Sequence, residues 1–137
     1  MFIDTSAVVA ILCGEPEADR YLALLAEAGE TFTGAHVRLE STIILARNLG
    51  LEIDTAEQLF DDFLTEAGIT VMAITDAISR KAVLAFARFG KGRGHPAQLN
   101  FGDCLSYGCA ADRMSPILFK GADFGHTDLE PALGVQP

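Results

Sequence analysis

The stretch that most restricts this chain is its start, where apolar Met1-Phe2-Ile3 runs directly into Asp4-Thr5-Ser6 and then into Ala7-Val8-Val9-Ala10-Ile11-Leu12. That order predicts a short buried strand feeding a helix. Three residues are too few to hide an isolated strand, so Phe2 and Ile3 are expected to begin a central strand of a larger sheet. Asp4 then falls at its carboxyl end, where open α/β sheets hold their ligands. A plainer account is that Asp4 caps the helix, since Asp, Thr and Ser are all favoured N-caps.

The rest of the chain alternates in kind. Glu15-Pro16-Glu17 predicts a helix restart, with Pro16 in the first turn, running to about Ala28 with a stripe of Tyr21, Leu22, Leu24 and Leu25 and ending at Gly29. Thr31 to Thr33 reads as a strand, and Ala35 to Asn48 as a helix closed by Gly50. Asp54 opens another helix that buries Leu59, Phe60, Phe63 and Leu64 and stops at Gly68. Ile69 to Ile74, rich in β-branched residues, predicts a central parallel strand. A helix from Asp76 to Phe89 is expected to bury Ile78, Ala82, Val83, Leu84 and Phe86. Another starts at Asn100 and reaches about Met114, with small residues Gly102, Ser106, Gly108, Ala110 and Ala111 packing on the sheet. Pro116 to Phe119 supplies the last strand. At 137 residues this is one domain, residues 1–137, with an α/β architecture whose parallel strands deliver their ends to one edge.

The net charge of −9 argues against nucleic-acid binding by general electrostatics, which relies on Lys and Arg displacing counterions from phosphate. The basic residues are unevenly placed, however: Arg80, Lys81, Arg88, Lys91 and Arg93 make up five of the ten. Arg80 and Lys81 read as a solvated helix face. Lys91 and Arg93 sit in Gly90-Lys91-Gly92-Arg93-Gly94-His95-Pro96, a loop able to contact phosphate. Cys13, Cys104 and Cys109 match no metal or disulfide spacing and are expected as reduced, mostly buried thiols. His36, His95 and His126 stand singly and are read as surface residues. The uncharged run from Thr5 to Gly14 is too short to span a bilayer and lacks a preceding basic segment, so a cytoplasmic, membrane-free protein is expected.

The carboxylates carry the chemistry. Glu40 shares a helical face with Val37, Ile43 and Ile44, so it needs a partner: Arg38, Arg47, water at the stripe's edge, or a metal. Asp103 lies in the first turn of its helix and Asp123 follows the last strand. With Asp4 they would form a cluster of up to four acids, which cannot all stay ionised at close range without cations. All-oxygen ligands suit Mg2+ or Mn2+. Such a site would orient a phosphodiester and activate water, which is nuclease chemistry.

The chain resembles the PIN-domain ribonucleases, and within them the VapC-type toxins of bacterial toxin-antitoxin pairs. The likeness rests on Met1-Phe2-Ile3-Asp4-Thr5-Ser6-Ala7, Arg38-Leu39-Glu40-Ser41, Gly90-Lys91-Gly92-Arg93, Leu99-Asn100-Phe101-Gly102-Asp103-Cys104 and Leu118-Phe119-Lys120-Gly121-Ala122-Asp123-Phe124. It implies a PIN-like three-layer α/β/α sandwich with a central parallel sheet. It also implies Mg2+-dependent endoribonuclease activity, a metal site of Asp4, Glu40 and Asp103, a homodimer and a cognate VapB-type antitoxin. Asp123 stands as the fourth catalytic acid, although Ala122 occupies a place where many relatives carry an acid or Asn. Lys91 and Arg93 are the candidate RNA contacts.

Two other acid-led α/β families fit less well. A haloacid-dehalogenase-like phosphatase expects a second Asp where this chain has Ser6. A receiver domain would use Lys120 but expects acids after the first and third strands that are not found. The alternative from another class is a non-catalytic interaction module whose acids only cap helices.

Overall fold

The computed structural model of the protein describes residues 1–133. Strands β1 (Phe2–Ile3), β2 (Phe32–Gly34), β3 (Thr70–Met72) and β4 (Ile117–Leu118) alternate with helices α1 (Thr5–Leu12), α2 (Ala18–Glu27), α3 (Ala35–Leu49), α4 (Ile53–Ala67), α5 (Asp76–Phe89) and α6 (Phe101–Asp112). All strand pairs are parallel, in the order β3-β2-β1-β4. This is the expected α/β class.

Phe2 and Ile3 have no exposed surface, and β1 takes neighbours on both sides as its shortness requires. Phe2 N–H donates to the Pro116 carbonyl at 2.8 Å and Asp4 N–H to the Leu118 carbonyl at 3.0 Å, while the Met1 carbonyl accepts from Phe32 N–H at 3.1 Å. From β1 the chain builds outward through β2 to β3, then crosses back so that β4 joins the far side of β1. Right-handed crossovers place the connections of these two excursions on opposite faces of the sheet. The reversal makes a crevice between β1 and β4, and Asp4 stands at its mouth.

Helix ends follow local chemistry. Gly50 and Gly68 close α3 and α4 with φ of 66° and 68°, a conformation that costs a residue with a Cβ. Thr75 caps α5 through Ile78 N–H at 3.2 Å. Helix α2 starts at Ala18 rather than Pro16, which lies in the preceding turn, and Glu52 holds the N-cap position of α4 without a side-chain bond to it, leaving Asp54 in the first turn.

Three burial expectations fail. The strand expected over Ile69 to Ile74 pairs only across Thr70–Met72 and lies at the sheet edge, not the centre, with Thr70 and Val71 exposed. In α5 the buried stripe is Ile78, Ala82, Ala85 and Phe89, whereas Val83, Leu84 and Phe86 are exposed. Apolar residues off the stripe that meets a neighbour stay in water, whatever their hydropathy. Leu22 of α2 is exposed for the same reason. Cys104 and Cys109 are buried free thiols and Cys13 is half-buried; burial pushes Cys109 up to about 12 and Cys104 up to about 11. Among the described residues no helix is long and apolar enough to cross a membrane.

The small residues of α6 serve helix contacts as well as the sheet. A Cβ at Gly108 would stand 2.7 Å from the Ile78 carbonyl oxygen of α5, so backbone rather than a pliable side chain blocks it. Gly108→Ala should therefore force α5 and α6 apart and lower stability by about 1–3 kcal/mol in urea denaturation. A loss below about 0.5 kcal/mol, the scale of an ordinary surface change, would show that the contact gives way freely.

Candidate functional site

A pocket of about 450 Å3 opens at the carboxyl end of β1, lined among others by Asp4, Glu40 and Asp103. Three segments far apart in sequence deliver these acids, and each is held by neighbours. Asp4 Oδ2 accepts from Ser6 N–H at 3.0 Å and from Ser6 Oγ at 2.6 Å, so it caps α1 while only 3% exposed. Ser6 Oγ in turn accepts from Lys120 N–H at 2.9 Å, tying the β1 end to the β4 exit.

Glu40 Oε1 accepts from Thr5 Oγ1 at 3.0 Å. Its carboxyl group rests against the α-carbon of Gly102: a Cβ there would come within 2.6 Å of Glu40 Cδ. Neither arginine considered for Glu40 reaches it. Arg38 pairs with Asp61 at 2.7 Å and Glu57 at 3.5 Å on α4, and Arg47 turns to Asn48.

Asp103 sits in a reciprocal capping box, its Oδ2 accepting from Asn100 N–H at 3.0 Å while Asn100 Oδ1 accepts from Asp103 N–H at 2.8 Å. Each of the three acids thus commits one oxygen to a protein donor. Asp4 Oδ1, Glu40 Oε2 and Asp103 Oδ1 make no hydrogen bond among the described residues.

Electrostatics set these groups against one another. Burial pushes Asp103 up to about 7, and the charges of Asp4, Asp123 and Glu40 add to the shift against the Asn100 hydrogen bond. Burial also raises Glu40, opposed by Thr5 and reinforced by Asp4. Lys120 is the one cation among the residues lining the pocket, and its Nζ is already engaged by Glu15 at 2.8 Å and Glu17 at 3.3 Å. The donor set is therefore all oxygen, partly uncommitted and short of positive charge, which fits a hard divalent cation. Among the described residues no group of three or more His, Cys, Asp and Glu side chains is gathered tightly enough to hold a metal as it stands.

Asp123 is placed differently. It is exposed at the start of a single 3-10 turn, Phe124–His126, and does not line the pocket, although its charge reaches Asp103. Lys91 and Arg93 lie in an exposed loop and form no ion pair among the described residues, whereas Arg80, Lys81 and Arg88 each pair with an Asp. The loop is pinched at its base by a parallel bridge between Gly90 and Leu99, one residue before Asn100 at the pocket edge.

His36 is not a surface residue. Its Nε2 lies 2.9 Å from Ser106 Oγ, its Nδ1 is buried without a partner, and burial lowers its pKa while Asp4 opposes the shift. The signal available in sequence was its position one helical turn before Glu40, with Ser106 three residues after Asp103 on the facing helix.

Two outcomes follow from this geometry. Gly102→Ala should displace the Glu40 carboxylate and weaken Mn2+ binding in calorimetry with the fold retained by circular dichroism; unchanged affinity would show that Glu40 is not held by this contact. Asp103 has a folded pKa above its unfolded value of about 3.9, so the folded state binds the proton more tightly. Its contribution to stability is complete below about pH 4 and is lost as pH rises towards about 7. In EDTA, the melting temperature of the wild type should fall across that window relative to Asp103→Asn, and parallel profiles would refute the shift.

The PIN domain family profile matches residues 1–129. The chain is 45% identical over 133 residues to "Ribonuclease VapC28" of Mycobacterium tuberculosis, covering 97% of this chain and 98% of the relative. It is 39% identical to "Ribonuclease VapC42" of the same species, covering 96% and 98%. Two solved structures share the fold. One is Mycobacterium tuberculosis VapC20, described as a sarcin-ricin loop cleaving toxin (TM-score 0.71, 20% identity, 95% and 98% covered). The other is a toxin-antitoxin complex from Klebsiella pneumoniae (TM-score 0.70, 15% identity, 98% of each chain). A buried acid at the head of a parallel sheet, two further acids turned into the same pocket, and these likenesses along almost the whole chain make it a member of the PIN-domain family, in the company of the VapC ribonucleases.

Proposed function

We propose that the chain is a divalent-metal-dependent endoribonuclease, the toxin of a toxin-antitoxin pair. The observation that carries this is the convergence of Asp4, Glu40 and Asp103 on one pocket, each with an uncommitted oxygen and none with a cationic partner. Mg2+ is the resident ion in this reading, with Mn2+ able to replace it. When bound, such an ion supplies Lewis acidity, polarising the phosphate and lowering the pKa of water.

The chain's own residues do the positioning. Ser6 fixes Asp4, Thr5 and Gly102 aim Glu40, and Asn100 clamps Asp103, so the ligands are oriented before substrate arrives. Asp123 acts from the rim, adding negative charge that strengthens cation binding without touching the pocket. Lys91 and Arg93 hold the RNA backbone, a role that positions a strand without reading its sequence. Further parts of the reading are a cognate VapB-type antitoxin, a homodimer, residues 1–137 as one domain, and a cytoplasmic location with no membrane partner.

The capping bonds of Asp4 and Asp103 favour a second reading, an interaction module whose acids only cap helices. Glu40 separates the two. It lies inside α3, where it caps nothing, and its burial raises its pKa without an ion pair to offset the cost.

Asp103→Asn is the decisive change. A purely capping role makes it a change in stability alone, with function intact. As a ligand its replacement should abolish cleavage of total RNA in Mg2+ and relieve growth inhibition, with folding and antitoxin binding preserved. A folded variant that cuts at the wild-type rate refutes the site. Replacing Lys91 and Arg93 together with Ala should weaken RNA binding across sequences and flatten its dependence on salt; an unaltered slope would assign the loop to solvent.

A further inference from the structure

A second cavity, of about 460 Å3, lies beside the acid pocket between α2 and the chain leaving β4. The two share Lys120 and Gly121 on their common rim. Gly121 turns the chain there with φ of 107° and adds no side chain of its own to the rim. Tyr21 and Phe119 form one wall, locked by the Tyr21 hydroxyl donating to the Phe119 carbonyl at 3.1 Å, and Phe119 packs on Phe124 with ring centres 5.4 Å apart.

This second cavity is less acidic than the first. Arg20 and Lys120 line it with His126 and one acid, Glu17, in a chain whose net charge is −9. The Arg20 and His126 side chains make no ion pair or hydrogen bond among the described residues. Lys120 spans the threshold: one of its partners, Glu15, lines the acid pocket, and the other, Glu17, lines the second cavity. A phosphate arriving at the rim would compete with these two carboxylates for the ammonium.

We propose that this cavity is a nucleotide subsite, which receives one residue of single-stranded RNA next to the bond presented to the acids. The assignment rests on the nuclease reading above and names where its substrate is gripped. Its volume falls in the range of small-ligand pockets. An aromatic wall and a planar His suit an unstacked base, and the Arg20 and Lys120 charges suit the phosphates on either side. Contiguity with the acid pocket favours RNA over a peptide, because a strand laid from one cavity to the other passes its backbone over Lys120 towards Asp4.

Two variants of the full chain test this without touching the acids. Gly125→Leu fills the cavity, and its added Cβ would find its nearest neighbour, Phe119 Cζ, at 4.0 Å, so folding should be unaffected. Arg20→Ala with His126→Ala removes an unpaired guanidinium and an exposed imidazole and needs no repacking. Affinity for a fluorescein-labelled pool of short single-stranded RNA, measured by anisotropy in EDTA so that cleavage does not intervene, should fall on the order of tenfold in each. With Mg2+ restored, both should cut total RNA more slowly and with altered site preference. Wild-type RNA affinity and cleavage sites in both variants would overturn the subsite while leaving the nuclease reading in place. Retained RNA affinity with lost binding of a synthetic Asp- and Glu-rich peptide would make the cavity a protein-docking groove and overturn it as well. A wild-type chain that neither binds nor cuts RNA would remove both readings together.

Discussion

Holding three carboxylates in one partly desolvated pocket is the constraint on which the rest of the structure turns. Acids left to themselves would swing apart into water, so each is restrained by bonds that the fold must supply. Asp4 is restrained by the first turn of α1, Glu40 by Thr5 and by the bare α-carbon of Gly102, and Asp103 by its box with Asn100. These restraints work only if β1, α3 and α6 meet at one end of the sheet. The topological reversal between β1 and β4 leaves the opening they meet around. At Asp4 and Asp103 helix capping and site assembly use the same hydrogen bonds, while Glu40, inside α3, is held by Thr5 instead.

Much of this was legible in the residues, for reasons that differ from place to place. The two-residue strand β1 could be recognised because an apolar pair leading into three cap-forming residues has few other readings, and α3 and α5 were bounded by the glycines that follow them. Asp4, Glu40 and Asp103 were found as acids that a buried face or a strand end would have to explain. What could not be read is pairwise geometry. Whether Val83 and Leu84 are covered depends on which side of α5 meets α6, and nothing within α5 says so. That β3 is an edge strand depends on where β4 inserts, some forty-five residues later by chain position. His36 was misjudged because its burial comes from α6, which is remote in sequence and close in space. Asp123 fell outside the pocket because the chain after β4 turns at Gly121, carrying it to the rim.

The distribution of charge organises the surface around the site. The acids are concentrated in the pocket, while Lys120 is held between Glu15 and Glu17 where it cannot neutralise them. Arg38 is engaged by α4 and Arg88 by Asp128, which also accepts the Tyr107 hydroxyl; burial, and after it Asp128, push that phenol up to about 12. Cations that would otherwise quench the carboxylates are thus used to fasten helices and the chain's later turns. The pocket's field stays negative, and Arg20, in the neighbouring cavity, has no carboxylate partner among the described residues.

The loop from Lys91 to Gln98 bears a consequence of a different order. Its two ends are fastened by Lys91 N–H to the Leu99 carbonyl at 2.8 Å and Leu99 N–H to the Phe89 carbonyl at 2.8 Å, so that it leaves and re-enters the fold at one point. Between these ends His95 packs edge-to-face on Phe89 with ring centres 4.9 Å apart and Ala97 is fully buried, so only the Lys91–Gly94 tip stands clear of the core. A change of sequence or length at that tip leaves the two bonds at its base in place, so the start of α6 beside the acid pocket does not shift with it.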